Sequence, residues 1–273
     1  MKIAISSDNH LDINRVAPDS ILDAQVETLT SLGVDYYVNL GDTFNDFQKT
    51  RQYFHQLQAR AQGRFQVRFL AGNHDMVRGT SYEELEKLDD PLYLHHRSER
   101  LTGTNVVLMG NNGWYDYTFA PKSLGMTSDQ FAHWKKAFWV DSVIEQPGTD
   151  AERMQGVLDQ TQAMLTANMG KRVLFATHFV PRRDFLSSRT LANEVGAKAA
   201  AMLGSERMGK LLTANHVTWC AFGHLHHRDE ASVCDGVQYF HQPVGYGTAR
   251  RHEWGTQDFM TEWRATLQIL TID

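Results

Sequence analysis

Two cysteines, Cys220 and Cys234, are too few for a disulfide framework in a chain of 273 residues. Both are expected to be buried, reduced and unreactive. With 20 glycines and only six prolines, collagen-like and low-complexity architectures are excluded. No stretch approaches the ~18 consecutive apolar residues of a membrane span. Asp8 ends the first apolar run before a signal-peptide core of about 7–15 residues can form. These absences predict a cytoplasmic chain with no membrane partner. Positive charge is also short, 27 Lys plus Arg against 32 Asp plus Glu, for a net charge of −5. Bulk wrapping of nucleic acid is therefore disfavoured, since phosphate neutralisation needs a basic surface.

What is present is an ordinary globular composition, 42% apolar and 22% charged. A chain near this length buries roughly three-quarters of its unfolded surface, so a sizeable core is available. The strands read as Lys2 to Ser7, Asp35 to Leu40, Val67 to Leu70, Val106 to Met109, Arg172 to Thr177 and Val217 to Phe222. Helical spacing marks Asp19 to Leu32, Thr50 to Gln62, Thr190 to Leu203 and Met208 to Thr213. Capping boxes at Ser81-x-x-Glu84 and Thr149-x-x-Glu152 open two more helices. Asp235-Gly236 reads as a hairpin turn, and Trp263 to Ile272 as a terminal antiparallel strand. Strand and helix alternation implies largely parallel pairing, with ligands beyond the carboxyl ends of the strands. One domain, 1–273, is expected, with a helical and aromatic insertion at about 111–170.

Thirteen histidines are the unusual count, because imidazole is the commonest metal ligand. Five clusters follow predicted strands: Asp8-Asn9-His10, Gly41-Asp42, Gly72-Asn73-His74-Asp75, Thr177-His178 and Gly223-His224-Leu225-His226. A single Asp or His after a strand is more often a turn residue. Five such clusters can converge on one rim of a parallel sheet. Asp8, His10, Asp42, Asn73, His178, His224 and His226 then offer seven nitrogen or oxygen donors. One ion does not need so many, whereas two ions about 3.5–4 Å apart, sharing a carboxylate, would use them all. Imidazole and carboxylate donors without thiolate suit Mn, Fe or Zn over Ca or Mg.

In these clusters the sequence resembles the calcineurin-like metallophosphoesterase family, whose order of motifs is D-x-H, G-D, G-N-H-[DE], H and G-H-x-H. The resemblance implies a four-layer α-β-β-α sandwich of two mixed sheets flanked by helices, with a binuclear site on the strand-end loops. By motif position, Asp8, His10 and His226 would hold one divalent transition-metal ion and Asn73, His178 and His224 the other, with Asp42 bridging. His74 would assist the leaving group, and Asp75 would orient or polarise it. The implied chemistry is phosphoester hydrolysis by a metal-bridging hydroxide, since two cations lower the pKa of a shared water towards about 7.

Asn45 stands where the family often places an acidic residue, and Asp46 follows it. Thr43-Phe44-Asn45 and Met76-Val77 lack the arginines of the family's protein Ser/Thr phosphatases. The most favoured function is a phosphodiesterase acting on a small or nucleotide-like phosphoester. A nuclease on DNA or RNA, and a non-catalytic metal-binding scaffold, are the alternatives. Arg182 and Arg183, just after His178, are candidate contacts for substrate phosphate. The aromatics Trp114, Tyr115, Tyr117, Phe119, Phe131, Trp134, Phe138 and Trp139 are expected mostly to pack the insertion. His227 is expected at the rim, and His241 is marked because its hairpin follows the His224–His226 loop directly. Oligomeric state is not readable from the sequence.

Overall fold

Alternation along the strands decides the layers. In a computed structural model that describes residues 1–273, Ile3 and Ile5 face a core of 17 residues between two sheets, while Ala4 between them faces the larger core of 54 beneath the helices. The same switch separates Val38 from Tyr37 and Leu108 from Val107. Period-two alternation with both faces apolar is what a sheet covered on both sides requires.

In chain order the strands are β1 (Lys2–Ser6), β2 (Tyr36–Asn39), β3 (Gln66–Phe69), β4 (Arg97–Arg100), β5 (Val106–Gly110), β6 (Arg172–Ala176), β7 (Trp219–Ala221), β8 (Asp229–Cys234), β9 (Val237–His241) and β10 (Gln268–Thr271). One sheet runs β10-β1-β2-β3, and the other β4-β5-β6-β7-β9-β8. The pairs β1-β2, β2-β3, β5-β6, β6-β7 and β7-β9 are parallel; β10, β4 and β8 pair antiparallel at edges. Two mixed sheets face to face with helices outside form the expected α-β-β-α sandwich.

The helices are α1 (Leu22–Ser31), α2 (Phe47–Ala61), α3 (Asn73–Met76), α4 (Tyr82–Lys87), α5 (Ser128–Phe138), α6 (Asp150–Ala167), α7 (Ser188–Leu191), α8 (Glu194–Ala200), α9 (Glu206–Ala214) and α10 (Phe259–Thr266). Leu22, Val26 and Leu29 form the buried stripe of α1. Ser81 and Thr149 close capping boxes with Glu84 and Glu152, as their spacing predicts. Asp46 caps α2 by accepting the Lys49 N–H. The Asp235-Gly236 turn has both residues at positive φ, 49° and 82°, the conformation that joins twisted strands tightly.

The structure corrects three expectations and adds one strand. Thr190 to Leu203 is not one helix but α7 and α8, because Asn193 caps the second by accepting the Gly196 N–H. Trp263 to Thr266 is helical, capped by Asp258, and only Gln268–Thr271 pairs with β1. The strand β4 carries too many charges to read as one; Glu99 is held there by Arg68 of β3 and Tyr36 of β2, a clamp across the sheet edges. Cys220 is buried, but Cys234 is only half-buried.

Most insertion aromatics pack inward. Trp114, Tyr115, Phe119 and Phe131 are buried, and the Arg153 guanidinium lies 3.5 Å from the Trp114 ring centre. Phe138 is the outlier at 72% exposure. Leu174 is buried in the thin core between the sheets. Leu174→Ala should lower unfolding stability by about 2–5 kcal/mol in denaturant titration, whereas Leu32→Ala at the surface should change it by less than about 0.5 kcal/mol.

Candidate metal centre

All five clusters reach one place, the carboxyl ends of parallel strands from both sheets. Asp8 and His10 follow β1, Asp42 follows β2, Asn73 follows β3, His178 follows β6, and His224 and His226 follow β7. The loops are tightly wound. Asp8, His10, Asp42 and His224 all have positive φ, between 43° and 72°, a region non-glycine residues enter only when their surroundings impose it. Gly72 leaves room for them: a Cβ there would lie 2.1 Å from Asp42 Oδ1 and 2.6 Å from His178 Cε1.

The proton positions give the site its character. His178 Nδ1 lies 2.9 Å from the Leu40 carbonyl, which can only accept, so the proton sits there. The Nε2 lone pair then faces Asn73 Oδ1 and His224 Nδ1, each at 3.1 Å, and Asp42 Oδ2 at 3.5 Å. His226 repeats the device. Its Nδ1 donates to Glu253 Oε2 at 2.8 Å, leaving Nε2 towards His10 Nε2 at 3.1 Å and Asp8 Oδ1 at 3.5 Å. Asp141 accepts the Asn73 Nδ2 amide at 2.7 Å and so turns the Asn73 oxygen inward. His10 Nδ1 and His224 Nε2 are buried with no partner.

Donor atoms of Asp8, His10 and His226 lie within 4.8 Å of one another, as do those of Asp42, His178 and His224. Asp42 Oδ2 is 3.7 Å from His10 Nε2 as well as 3.5 Å from His178 Nε2, which places it between the two groups. Charges follow the crowding. Burial, with Asp8 and Asp75 nearby, pushes the Asp42 carboxyl well above its usual range. Burial would also raise Asp8, but the hydrogen bond and charge of His226 hold it well below. His178 is pushed down to about 4, chiefly by burial. Imidazole nitrogens and carboxylate oxygens crowded this closely, with Asp42 between the two groups, form a donor set that fits divalent ions.

His74 stands beside this cluster. Its Nδ1 lies 2.6 Å from Asn45 Oδ1, and its Nε2 lies 3.3 Å from the Tyr246 hydroxyl. Burial, with His226 and His178 close by, lowers the ring to about 4. Asp75 does not touch the imidazole, contrary to the role expected for it. Its carboxylate accepts the backbone N–H groups of Asp42, Thr43, Phe44 and Gly72 and the Thr50 hydroxyl. It therefore fixes two strand-end loops, and Asn45 orients His74.

The expectation for the two arginines also changes. Arg182 is tied to Asp184 and Asp235, and with Arg183 it lines a separate surface pocket. The arginine on the metal-site cavity is Arg251. His241 anchors the ligand loop, since its Nε2 lies 2.9 Å from the Leu225 carbonyl, between His224 and His226. His227 points away, towards the Phe185 carbonyl at 3.0 Å. Asp141, Tyr246, Arg251 and Glu253 carry no local sequence signal, because each is brought in by long-range packing.

A sandwich of this layer order with a two-part nitrogen and oxygen donor cluster at its strand ends is the architecture of metal-dependent phosphohydrolases. The family model for calcineurin-like phosphoesterases matches residues 1–228, and the chain belongs to that family. It is thereby a metallophosphoesterase, whose family fold implies a dinuclear divalent metal centre. Among curated proteins no sequence matches. The crystal structure of phosphopantetheinyl hydrolase PptH from Mycobacterium tuberculosis is similar over 100% of this chain and 96% of its own, with TM-score 0.69 and 19% identity. TT1561 of Thermus thermophilus matches over 98% and 97%, with TM-score 0.52 and 11% identity. A dimetal phosphatase from Danio rerio matches over 88% and 86%, with TM-score 0.50 and 15% identity. At these identities the likeness is one of fold. No helix is long and apolar enough to cross a membrane.

Asp75→Ala should lower stability by about 3 kcal/mol or more, because several buried N–H groups lose their acceptor. Asp42→Asn should lose bound metal with far less destabilisation. Unfolding curves paired with elemental analysis separate the two, and equal metal content in Asp42→Asn and the parent would contradict the bridging position.

Proposed function

We propose that this protein is a phosphodiesterase acting on a small or nucleotide-like substrate, with Asp8, His10 and His226 holding one divalent transition-metal ion, Asn73, His178 and His224 the other, and Asp42 shared. The observation that carries the reading is the convergence of imidazole and carboxylate lone pairs, their protons fixed outward by Leu40 and Glu253, on a cavity of about 310 Å³. Its further wall is made by Trp139, Val140 and Leu203. That apolar surface suits an organic arm on the phosphate. PptH, aligned over nearly all of both chains, is by its name a hydrolase of phosphopantetheinyl groups, a phosphate joined to a small organic arm.

Two divalent ions in this site would supply an activated water and offset the negative charge of the phosphate. The remaining work falls to side chains. Hydrolysis breaks one P–O bond, leaves the water oxygen on phosphorus and delivers a proton to the departing oxygen. His74 is placed to deliver it through Nε2, because Asn45 fixes Nδ1. A phosphate anion against Nε2 favours the protonated ring. Burial, with Asp42 and Asp8 near, raises the Tyr246 phenol well above its usual range, so its hydroxyl stays a donor beside His74. Asp141 keeps Asn73 turned inward throughout.

The test is turnover of bis(p-nitrophenyl) phosphate against p-nitrophenyl phosphate by Mn-reconstituted protein. The diester should be preferred, and chelation should abolish its hydrolysis. His74→Ala should lower kcat by about 10²–10⁴-fold with metal content retained. Asn45→Ala should produce a smaller fall in the same constant. Preference for the monoester would overturn the diesterase reading.

A further inference from the structure

Arg251 has no task in the scheme above. Its side chain bounds the metal-site cavity and makes neither a hydrogen bond nor an ion pair. Arg182 and Arg228, by contrast, are each held by carboxylates, Asp184 with Asp235 and Glu262 respectively. The Arg251 guanidinium lies 5.8 Å from the centre of the Tyr246 ring, and that ring packs on His10 and His226 with centroids 4.4 Å apart in each case. Arg251 therefore stands a ring further out than the metal ligands. Arg251 is exposed, and its planar fork of five N–H donors beside the cavity can engage carboxylate or phosphate oxygens bidentately.

The charge count separates Arg251 from the reacting group. A phosphodiester carries one negative charge, and the proposed ions already offset it, so an additional arginine is surplus to that group. The same cavity also has an apolar part to its lining. Trp139 spends its indole N–H on Asp141 at 3.1 Å, so it offers only carbon surface, and Val140 and Leu203 continue that surface.

We propose that Arg251 recognises a second anionic group on the substrate, so that the natural phosphodiester is a bisphosphate-type molecule. Its organic portion, flat or apolar, lies along Trp139, Val140 and Leu203 while its second phosphate meets Arg251. This inference rests on the diesterase reading for the reaction but not for the binding.

Two matched comparisons test it. The first is hydrolysis of thymidine 5′-(p-nitrophenyl phosphate) with and without a 3′-phosphate. The second is calorimetric titration with adenosine 3′,5′-bisphosphate against adenosine 5′-monophosphate, which needs no turnover. The parent protein should favour the bisphosphate by about tenfold or more in both KM and Kd. Arg251→Ala should bring both ratios close to one, with the loss falling on KM and not on kcat, and Arg251→Lys should keep an intermediate ratio. No preference in the parent, or an undiminished preference in Arg251→Ala, would overturn the proposal. If neither ester is cleaved while the Kd ratio still depends on Arg251, the diesterase reading fails and the second-anion site stands.

Discussion

Everything near the strand ends answers to one electrostatic constraint, the burial of acceptors against acceptors. His178 and His226 each hold an Nδ1 proton outward, on the Leu40 carbonyl and the Glu253 carboxylate. Their inward nitrogens, with Asp8, Asp42 and Asn73, then form a cluster of lone pairs that water cannot satisfy at such burial. Left without cations this arrangement costs free energy, since each uncompensated buried polar group is destabilising.

The architecture supplies the geometry. Parallel strands deliver their carboxyl ends to one rim, and two face-to-face sheets bring two such rims together along a seam. One sheet contributes Asp8, His10, Asp42 and Asn73; the other contributes His178, His224 and His226. Asp75, buried among backbone N–H groups from two of these loops, holds the seam's first side in register. The segment between β5 and β6 reaches the seam through Asp141 and Trp139, and the segment after β9 reaches it through Tyr246, Arg251 and Glu253.

The strand-end clusters were legible in the sequence because each is short, local and follows an apolar run, so its position in a parallel sheet follows from connectivity. The capping boxes at Ser81 and Thr149 were legible for the same reason, whereas the four-layer order came from the family resemblance, since alternation alone implied one largely parallel sheet and the chain forms two. Asn45 and Asp75 show where local reading stops. Asp75 sits next to His74 in sequence, yet a helical turn directs its carboxylate to backbone groups, while Asn45, some thirty residues away, meets the ring. Arg182 and Arg183 were close to His178 in sequence, but the chain turns them onto an outer surface where Asp184 and Asp235 engage Arg182. The terminal helix was hidden because Phe259, Glu262, Trp263 and Thr266 share its buried face with a following strand whose alternation blends into it.

The contact of His10 with His226 spans 216 positions of sequence, and that of His178 with Asn73 spans 105. Contacts of such separation form late, after the loop-closure entropy of most of the chain has been met. A divalent ion held by donors so far apart in sequence would bind only the completed tertiary structure, and its binding free energy would add to the stability of the whole fold instead of to any one loop.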